Sequence, residues 1–281
     1  MITALVSIAF LAAAPVQEKQ PQDSKLTGQV TEEEFKKLHE LKKEAAPPRK
    51  GTRIEIAKAK AYLSIPEGAK APMPAIVVIH EWWGLNDNVM HWTDRFAAEG
   101  YAAVAVDLYE GTVATNSKEA MEAMRKVDPA RSKEILLAAL AFLKDDPRVK
   151  ATKRASIGWC FGGGKSLELA LAAPDLDAAV MYYGHPELDP MALEKLKAPL
   201  LGIFGTKDKS IPPETVKKFD EALTAAKKQH AIFSYDAEHA FANPSNPKYD
   251  EENAAKAWSE VQKFLAKFLK APAPTTEAKK K

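Results

Sequence analysis

The sequence predicts an α/β protein with a mostly parallel central sheet and helices on both faces. Short runs such as AIVVI, AAVAV and LLGIFG are continuously apolar, as strands buried on both faces of a sheet are. Amphipathic stretches of helical length separate these runs along the chain. This alternation of strands and helices is typical of parallel sheets, whose strands need crossover helices to connect them.

Composition fits a globular protein and excludes several functional classes. The 281 residues are 46% hydrophobic and 28% charged, which excludes a collagen-like or wholly disordered chain. Forty basic residues against 38 acidic ones give a net charge of +2, so the basic excess typical of nucleic-acid-binding proteins is missing. The one cysteine cannot form an intrachain disulfide. We also expect no stable membrane span once an N-terminal signal segment has been removed.

The first 50 residues are expected to precede the main domain. Residues 2–14 are uncharged and almost all apolar or small, which favours a cleaved signal peptide over residues 1–14 and export to the periplasm or the extracellular space. The alternative is a cytoplasmic protein in which this segment packs into the fold. Residues 15–50 are interpreted as a linker plus a helix over 31–46, which a Thr-Glu-Glu-Glu capping box opens. Whether that helix covers a cleft or only tethers the domain stays open.

The strands of the α/β domain, expected over residues 51–270, are predicted from apolar runs of five or six residues. Alternating apolar residues around 54–56 and 62–65 indicate an opening hairpin. The continuous apolar runs predict buried strands over 75–79, 102–106, 155–159, 178–183, 200–204 and 231–235.

The helices are predicted from apolar residues at three- and four-residue spacing. They are expected over 88–99, 117–127, 130–144, 163–173, 213–228 and 250–270. Gly100 stands where a glycine commonly ends a helix. Residues 271–281 are polar and expected to be disordered.

A candidate nucleophile follows the strand that ends at Trp159. The segment GWCFGG places Cys160 in a tight strand-to-helix turn, with glycines two positions before and after it. Such glycines remove Cβ atoms that would collide across the turn, and the helix N-terminus favours a thiolate and a developing oxyanion. The alternative is that Cys160 is a small buried core residue.

A candidate acid and a candidate base follow two later strands. Asp208 comes after LLGIFG and His239 after AIFSYD, in the chain order nucleophile, acid, base. Because the carboxyl ends of parallel strands meet at one edge of the sheet, we expect Asp208 to orient His239 and His239 to hold the proton of Cys160. Alternatively, Asp208 is a turn residue and His239 a surface histidine.

The segment HEWWG follows the strand AIVVI. The loop after this strand supplies an oxyanion donor in such sheets, so the backbone N–H groups of Trp82 and Phe161 are the expected pair. Glu81 is expected to hydrogen-bond the thiol of Cys160 and restrain it, or else to form a salt bridge at the rim. HEWWG lacks the second histidine of a zinc motif, and no metal or cofactor is expected.

Together, HEWWGLND, the DLY segment, GWCFGG, GTKD and EHAF resemble the dienelactone hydrolase family over about residues 52–269. The resemblance implies an α/β-hydrolase fold and a Cys-Asp-His triad, matched here by Cys160, Asp208 and His239. It also implies that Glu81 pairs with the resting thiol. The family's dienelactone-cleaving members hold a substrate carboxylate with arginines, whereas Glu110, Gly111 and Asn243 occupy the corresponding places here.

Dienelactone itself is therefore an unexpected substrate, and an uncharged or aromatic ester or lactone is favoured. The expected substrate pocket contains six residues, each of which could equally be structural. They are Trp83, Tyr109, Tyr183, His185, Phe241 and Asn243.

The leading interpretation is a cysteine-dependent hydrolase of small-molecule carboxylic esters or lactones. A ligand-binding protein that has lost turnover on a hydrolase scaffold is the main alternative. A thiol-based redox role is weaker because no second cysteine exists to resolve a sulfenic acid. The oligomeric state, monomer or otherwise, does not follow from the sequence.

Overall fold

An eight-stranded sheet runs through residues 49–270, the part of the chain that this computed structural model describes. The strands are β1 (Thr52–Ile56), β2 (Ala59–Ser64), β3 (Ala75–Ile79), β4 (Ala102–Val106), β5 (Arg154–Trp159), β6 (Ala178–Tyr182), β7 (Leu200–Gly205) and β8 (His230–Tyr235). The helices are α1 (Asp87–Ala98), α2 (Ser117–Arg125), α3 (Pro129–Asp145), α4 (Phe161–Ala172), α5 (Pro190–Leu193), α6 (Pro213–Ala225) and α7 (Glu251–Leu269).

The strand order across the sheet is β1-β2-β4-β3-β5-β6-β7-β8. The hairpin of β1 and β2 pairs antiparallel within itself and with β4. Every pairing from β4 to β8 is parallel. The predicted mostly parallel α/β sheet is therefore confirmed, and the antiparallel hairpin forms one edge of it.

Helices cover both faces of the sheet because successive residues of each central strand point to opposite sides. In β3, Ile76 and Val78 pack into the layer that contains α1 and α7. Val77 and Ile79 pack into the opposite layer, which contains α3, α4 and α6. All five residues of β3 are fully buried, as the continuous apolar run predicts.

The register of the parallel strands brings their carboxyl ends level. Ile79 at the end of β3 lies opposite both Val106 of β4 and Gly158 of β5. The residues that follow these strands therefore emerge along one edge of the sheet, which is where the ligands of such sheets bind.

Most helix boundaries agree with the expectation, and three details differ. Gly100 has a φ of +90° directly after the capping residue of α1, the left-handed conformation that glycine adopts most easily. In contrast, α4 begins at Phe161 and not at residue 163, so the glycines of GGG are inside the helix. The four-residue helix α5 was not expected from the sequence, and α6 ends at Ala225 rather than near residue 228.

Several expectations fall outside the described residues. The signal peptide over 1–14, the linker and the helix over 31–46 lie in residues 1–48, and the disordered tail lies in residues 271–281. Within residues 49–270, no helix has both the length and the apolar character needed to cross a membrane.

Candidate active site

The turn between β5 and α4 has the geometry expected of a nucleophile elbow. Cys160 occupies it with φ 53° and ψ −118°, a conformation that side-chain-bearing residues rarely adopt. A Cβ atom on Gly158 would collide with the backbone of Gly162, and one on Gly162 would collide with the carbonyl groups of Ile79 and His80. Both flanking glycines are therefore required for β3, β5 and α4 to approach one another this closely.

Cys160 takes the N-cap position of α4 but makes no side-chain capping hydrogen bond. Its thiol instead has an electrostatic interaction with His239, which raises the pKa of that imidazole. The positive end of the helix dipole and this imidazole lie at the same sulfur, and both favour a negative charge there.

Asp208 and His239 are hydrogen-bonded to each other. The Nδ1 atom of His239 lies 2.7 Å from Oδ2 of Asp208, and both side chains are buried. The other carboxylate oxygen, Oδ1, accepts hydrogen bonds from the backbone N–H groups of Ser210 at 2.8 Å and Ile211 at 3.0 Å. Asp208 is thus both a turn residue and the hydrogen-bond partner of the imidazole, so the two roles considered for it from the sequence are compatible.

The charge environment of His239 favours its protonated form. Burial by itself lowers the pKa of this imidazole, but the negative charge and hydrogen bond of Asp208, together with the interaction with Cys160, outweigh the burial. The pKa of His239 is consequently raised well above its ordinary value of 6.5. A protonated imidazole that is hydrogen-bonded to a buried carboxylate is therefore available next to Cys160.

Glu81 is a carboxyl group buried next to this pair. It is 5% exposed, its Oε1 accepts a hydrogen bond from the hydroxyl of Tyr183 at 3.3 Å, and its Oε2 accepts one from the amide of Asn243. Burial raises its pKa from 4.5 to about 7, against the opposing effects of His239, Asn243 and Tyr183. Near neutral pH, therefore, Glu81 exchanges a proton close to the imidazole of His239.

A cavity of about 470 Å³ opens onto these groups, a volume typical of small-molecule sites. Cys160 and His239 line it together with Trp82 and Phe161, the two residues expected to supply oxyanion donors. The backbone N–H of Phe161 lies in the first turn of α4, where no acceptor within the helix is available.

A model of the dienelactone hydrolase family matches residues 59–269. The chain belongs to the dienelactone hydrolase family. A protein of Synechocystis sp. (strain ATCC 27184 / PCC 6803 / Kazusa) that is named "Putative carboxymethylenebutenolidase" is 34% identical in an alignment of 227 positions, which covers 74% of this chain and 92% of that protein.

Two solved structures show the same fold. A protein of Klebsiella pneumoniae subsp. pneumoniae MGH 78578 that is named "Putative Dienelactone Hydrolase" has a TM-score of 0.70 at 28% identity, covering 79% of this chain and 100% of that one. A dienelactone hydrolase-like promiscuous phosphotriesterase from metagenomic libraries has a TM-score of 0.71 at 25% identity, covering 80% and 99%. The expected α/β-hydrolase fold is thereby confirmed.

Only some of the expected pocket residues of this family member line the cavity. Tyr183 and His185 do so. Trp83 packs in a small cluster with Trp82 and α2, and Tyr109 packs against the ring of His80. The remaining two are also internal, because Phe241 packs against Tyr183 and the amide of Asn243 is bonded to Glu81. All four residues are buried, and none of them is among the residues that line the cavity.

The sequence interpretation missed one face of α4. Besides Phe161, which the sequence indicated, the lining residues of this helix are Gly164, Lys165, Leu167, Glu168 and Leu171. These positions are three or four residues apart, the spacing of a single helix face, so this spacing was the available signal. Lys165 forms a salt bridge of 2.7 Å with Glu168 and lies over the ring of Phe161 at 5.6 Å.

Proposed function

We propose that this chain hydrolyses carboxylic esters or lactones, with Cys160 as the nucleophile, His239 as the proton carrier and Asp208 as the group that orients the imidazole. The observation that carries the proposal is the buried hydrogen bond between His239 and Asp208 at the wall of the cavity that Cys160 also lines. Membership of the family supports it. The strained turn also supports it, because it presents the sulfur where a substrate can enter.

In the first half-reaction, Sγ of Cys160 attacks the carbonyl carbon and a C–S bond forms. Nδ1 of His239 is bonded to Asp208, so the thiol proton resides on Nε2 of the imidazole. The carbonyl electrons move to the oxygen, and the backbone N–H groups of Trp82 and Phe161 stabilise the resulting oxyanion. Collapse of this intermediate breaks the C–O bond of the ester, and His239 donates its proton to the leaving alkoxide.

In the second half-reaction, His239 takes a proton from water while the water oxygen attacks the thioester carbon. Collapse breaks the C–S bond, the acid is released, and the thiolate and imidazolium are restored. A lactone follows the same steps, except that the alkoxide stays attached to the acyl group and the product is one hydroxy acid. Side chains and water supply every proton in this cycle.

An uncharged substrate suits the cavity better than a carboxylated one. Lys165 is neutralised by Glu168, and Glu187 adds a further carboxylate to the wall. Asn243, at one of the places where the family's dienelactone-cleaving members hold a cation, donates its amide to Glu81. A substrate carboxylate would therefore lack the charge-assisted clamp that gives such contacts their strength.

Hydrolysis of p-nitrophenyl esters and uncharged lactones, measured on the full chain, tests the proposal. Wild type should turn over at least one substrate, Cys160→Ala should be inactive, and iodoacetamide should abolish activity in proportion to alkylation. Because the chain has one cysteine, mass spectrometry assigns the modification unambiguously. Full activity in Cys160→Ala would overturn the mechanism. Tight ligand binding without turnover by wild type would favour the scaffold alternative.

We further propose that residues 2–14 direct export and are removed, on the basis of their uncharged, apolar composition. Fractionation of cells that express the full chain, with N-terminal sequencing of the product, tests this proposal. An intact N-terminus in the cytoplasmic fraction would overturn it.

A further inference from the structure

His80 is a buried histidine that the proposed reaction leaves without a role. It directly follows β3 and is 0% exposed. Its Nε2 accepts a hydrogen bond from the backbone N–H of Leu108 at 3.1 Å. Since an amide N–H can only donate, the ring proton must reside on Nδ1, which lies 2.6 Å from the carbonyl oxygen of Glu81 and donates to it. Burial lowers the pKa of His80, in keeping with this neutral tautomer.

The carbonyl that His80 holds belongs to the peptide bond between Glu81 and Trp82. A trans peptide is planar, and its C=O and N–H groups point in opposite directions. A donor that fixes the carbonyl oxygen of Glu81 therefore also fixes the direction of the N–H group of Trp82. The other donor to this oxygen, the backbone N–H of Gly84, is at 3.4 Å, so the imidazole makes the shorter contact.

The same imidazole contacts the residue that carries the second expected oxyanion donor. Its ring stacks on the ring of Phe161, with centroids 5.6 Å apart and an interplanar angle of 20°. On another side, the edge of Tyr109 packs against it at 4.6 Å. The ring is thus held by two aromatic contacts and two hydrogen bonds, and it lies between the two segments whose N–H groups would face the oxyanion.

We propose that His80 is a positioning residue that aligns the backbone N–H of Trp82 with that of Phe161, so that both donors meet the oxyanion formed at Cys160. This inference rests on the proposed function, because it assigns His80 to the oxyanion-binding step of that reaction. It predicts that the loss of the Nδ1 donor slows the chemical step more than it weakens substrate binding.

Two substitutions test the hydrogen bonds of the two ring nitrogens one at a time. Asparagine places its amide N–H₂ near the position of Nδ1, so His80→Asn keeps the donor to Glu81 and loses the acceptor for Leu108. Glutamine reaches the position of Nε2, so His80→Gln keeps that acceptor and loses the donor. Each variant loses one buried hydrogen bond, and thermal unfolding should report similar stability losses for both.

Steady-state kinetics on the best ester substrate, at a temperature where both variants are folded, provide the test. We expect His80→Gln to lower kcat about 10- to 100-fold with little change in KM, and His80→Asn to stay within about 5-fold of wild type. The rate of iodoacetamide alkylation of Cys160 should be the same in both variants, because alkylation uses the thiol but no oxyanion donor.

Equal kcat values in the two variants, with an active wild type, would overturn the role of His80 and leave the proposed function intact. A slower alkylation rate in His80→Gln would also overturn it, since the effect would then arise at the thiol. If wild type shows no thiol-dependent turnover, the proposed function falls and this inference falls with it.

Discussion

The buried carboxyl group of Glu81 should make the stability of the folded protein depend on pH. Its pKa is raised from 4.5 to about 7, mainly by burial, and one pKa unit corresponds to about 1.4 kcal/mol. The expected effect is therefore about 3 kcal/mol. Between pH 4.5 and about pH 7, the folded protein retains a proton on Glu81 that the unfolded chain has released. The contribution is therefore fully present below about pH 4.5 and is lost as the pH rises through about 7.

Glu81→Gln removes this titration while keeping a side chain of similar size. Urea unfolding followed by tryptophan fluorescence, at several pH values from about 5 to about 8, measures the free energy of unfolding of both proteins. The difference between variant and wild type should shift by about 3 kcal/mol in favour of the variant as the pH rises. The stability that His239 contributes is also lost as the pH rises. Because its charge interacts with Glu81, the difference reports the titration of Glu81 together with that interaction.

Glu168→Gln is the matched control, because Glu168 lines the same cavity with its side chain 58% exposed. Its stability curve should run parallel to that of wild type. If the Glu81→Gln curve also runs parallel to wild type across this pH range, the carboxyl is ionised throughout and the burial argument is refuted.

Three further predictions concern the elbow, the imidazole and the core. Gly162→Ala should lose activity and thermal stability because its methyl group would collide with two carbonyl groups. Gly164→Ala should keep both, because the nearest atom to its methyl group would be 3.4 Å away. Equal effects of the two substitutions would contradict the steric argument. Asp208→Asn should lower kcat by about 10²- to 10⁴-fold and slow alkylation of the cysteine, because His239 loses its charged partner; an unchanged kcat would refute this role. Phe219→Ala should cost about 3–5 kcal/mol in urea unfolding because the ring is fully buried, while kcat at low temperature should be retained; a loss below about 1 kcal/mol would show that the cavity refills.

The positions of the central strands were predicted closely because a strand buried on both faces of a parallel sheet consists of a continuous run of apolar residues. The AIVVI and AAVAV strands begin and end where the apolar runs do. The start of α4 was placed two residues late because the propensity of GGG favours a loop. The helix forms there because Gly163 and Gly164 approach the strand β6 and the backbone of Gly184 closely, a tertiary effect that local propensity does not contain.

The cavity was less predictable than the residues expected to react in it. An aromatic residue after a strand suits a pocket wall and a core equally well, and Trp83 and Phe241 are core residues. Whether such an aromatic residue faces a pocket or the core depends on the helices and loops that pack against it. Here α4 contributes one wall of the cavity. The four-residue helix α5 was missed because it is too short to show any periodicity.

The sequence by itself determined the parallel α/β architecture and the order in which Cys160, Asp208 and His239 follow their strands, because chain order and hydrophobic runs encode both. Only the tertiary structure decided that His239 and Asp208 meet, with Nδ1 of the imidazole 2.7 Å from Oδ2 of the carboxylate, and that Cys160 and His239 line one cavity. It also decided that Glu81 has a raised pKa and that the ring of His80 is hydrogen-bonded to the backbone of two loops, at Glu81 and at Leu108. Contact and desolvation depend on what surrounds a group in three dimensions, and those neighbours come from segments far apart in the chain.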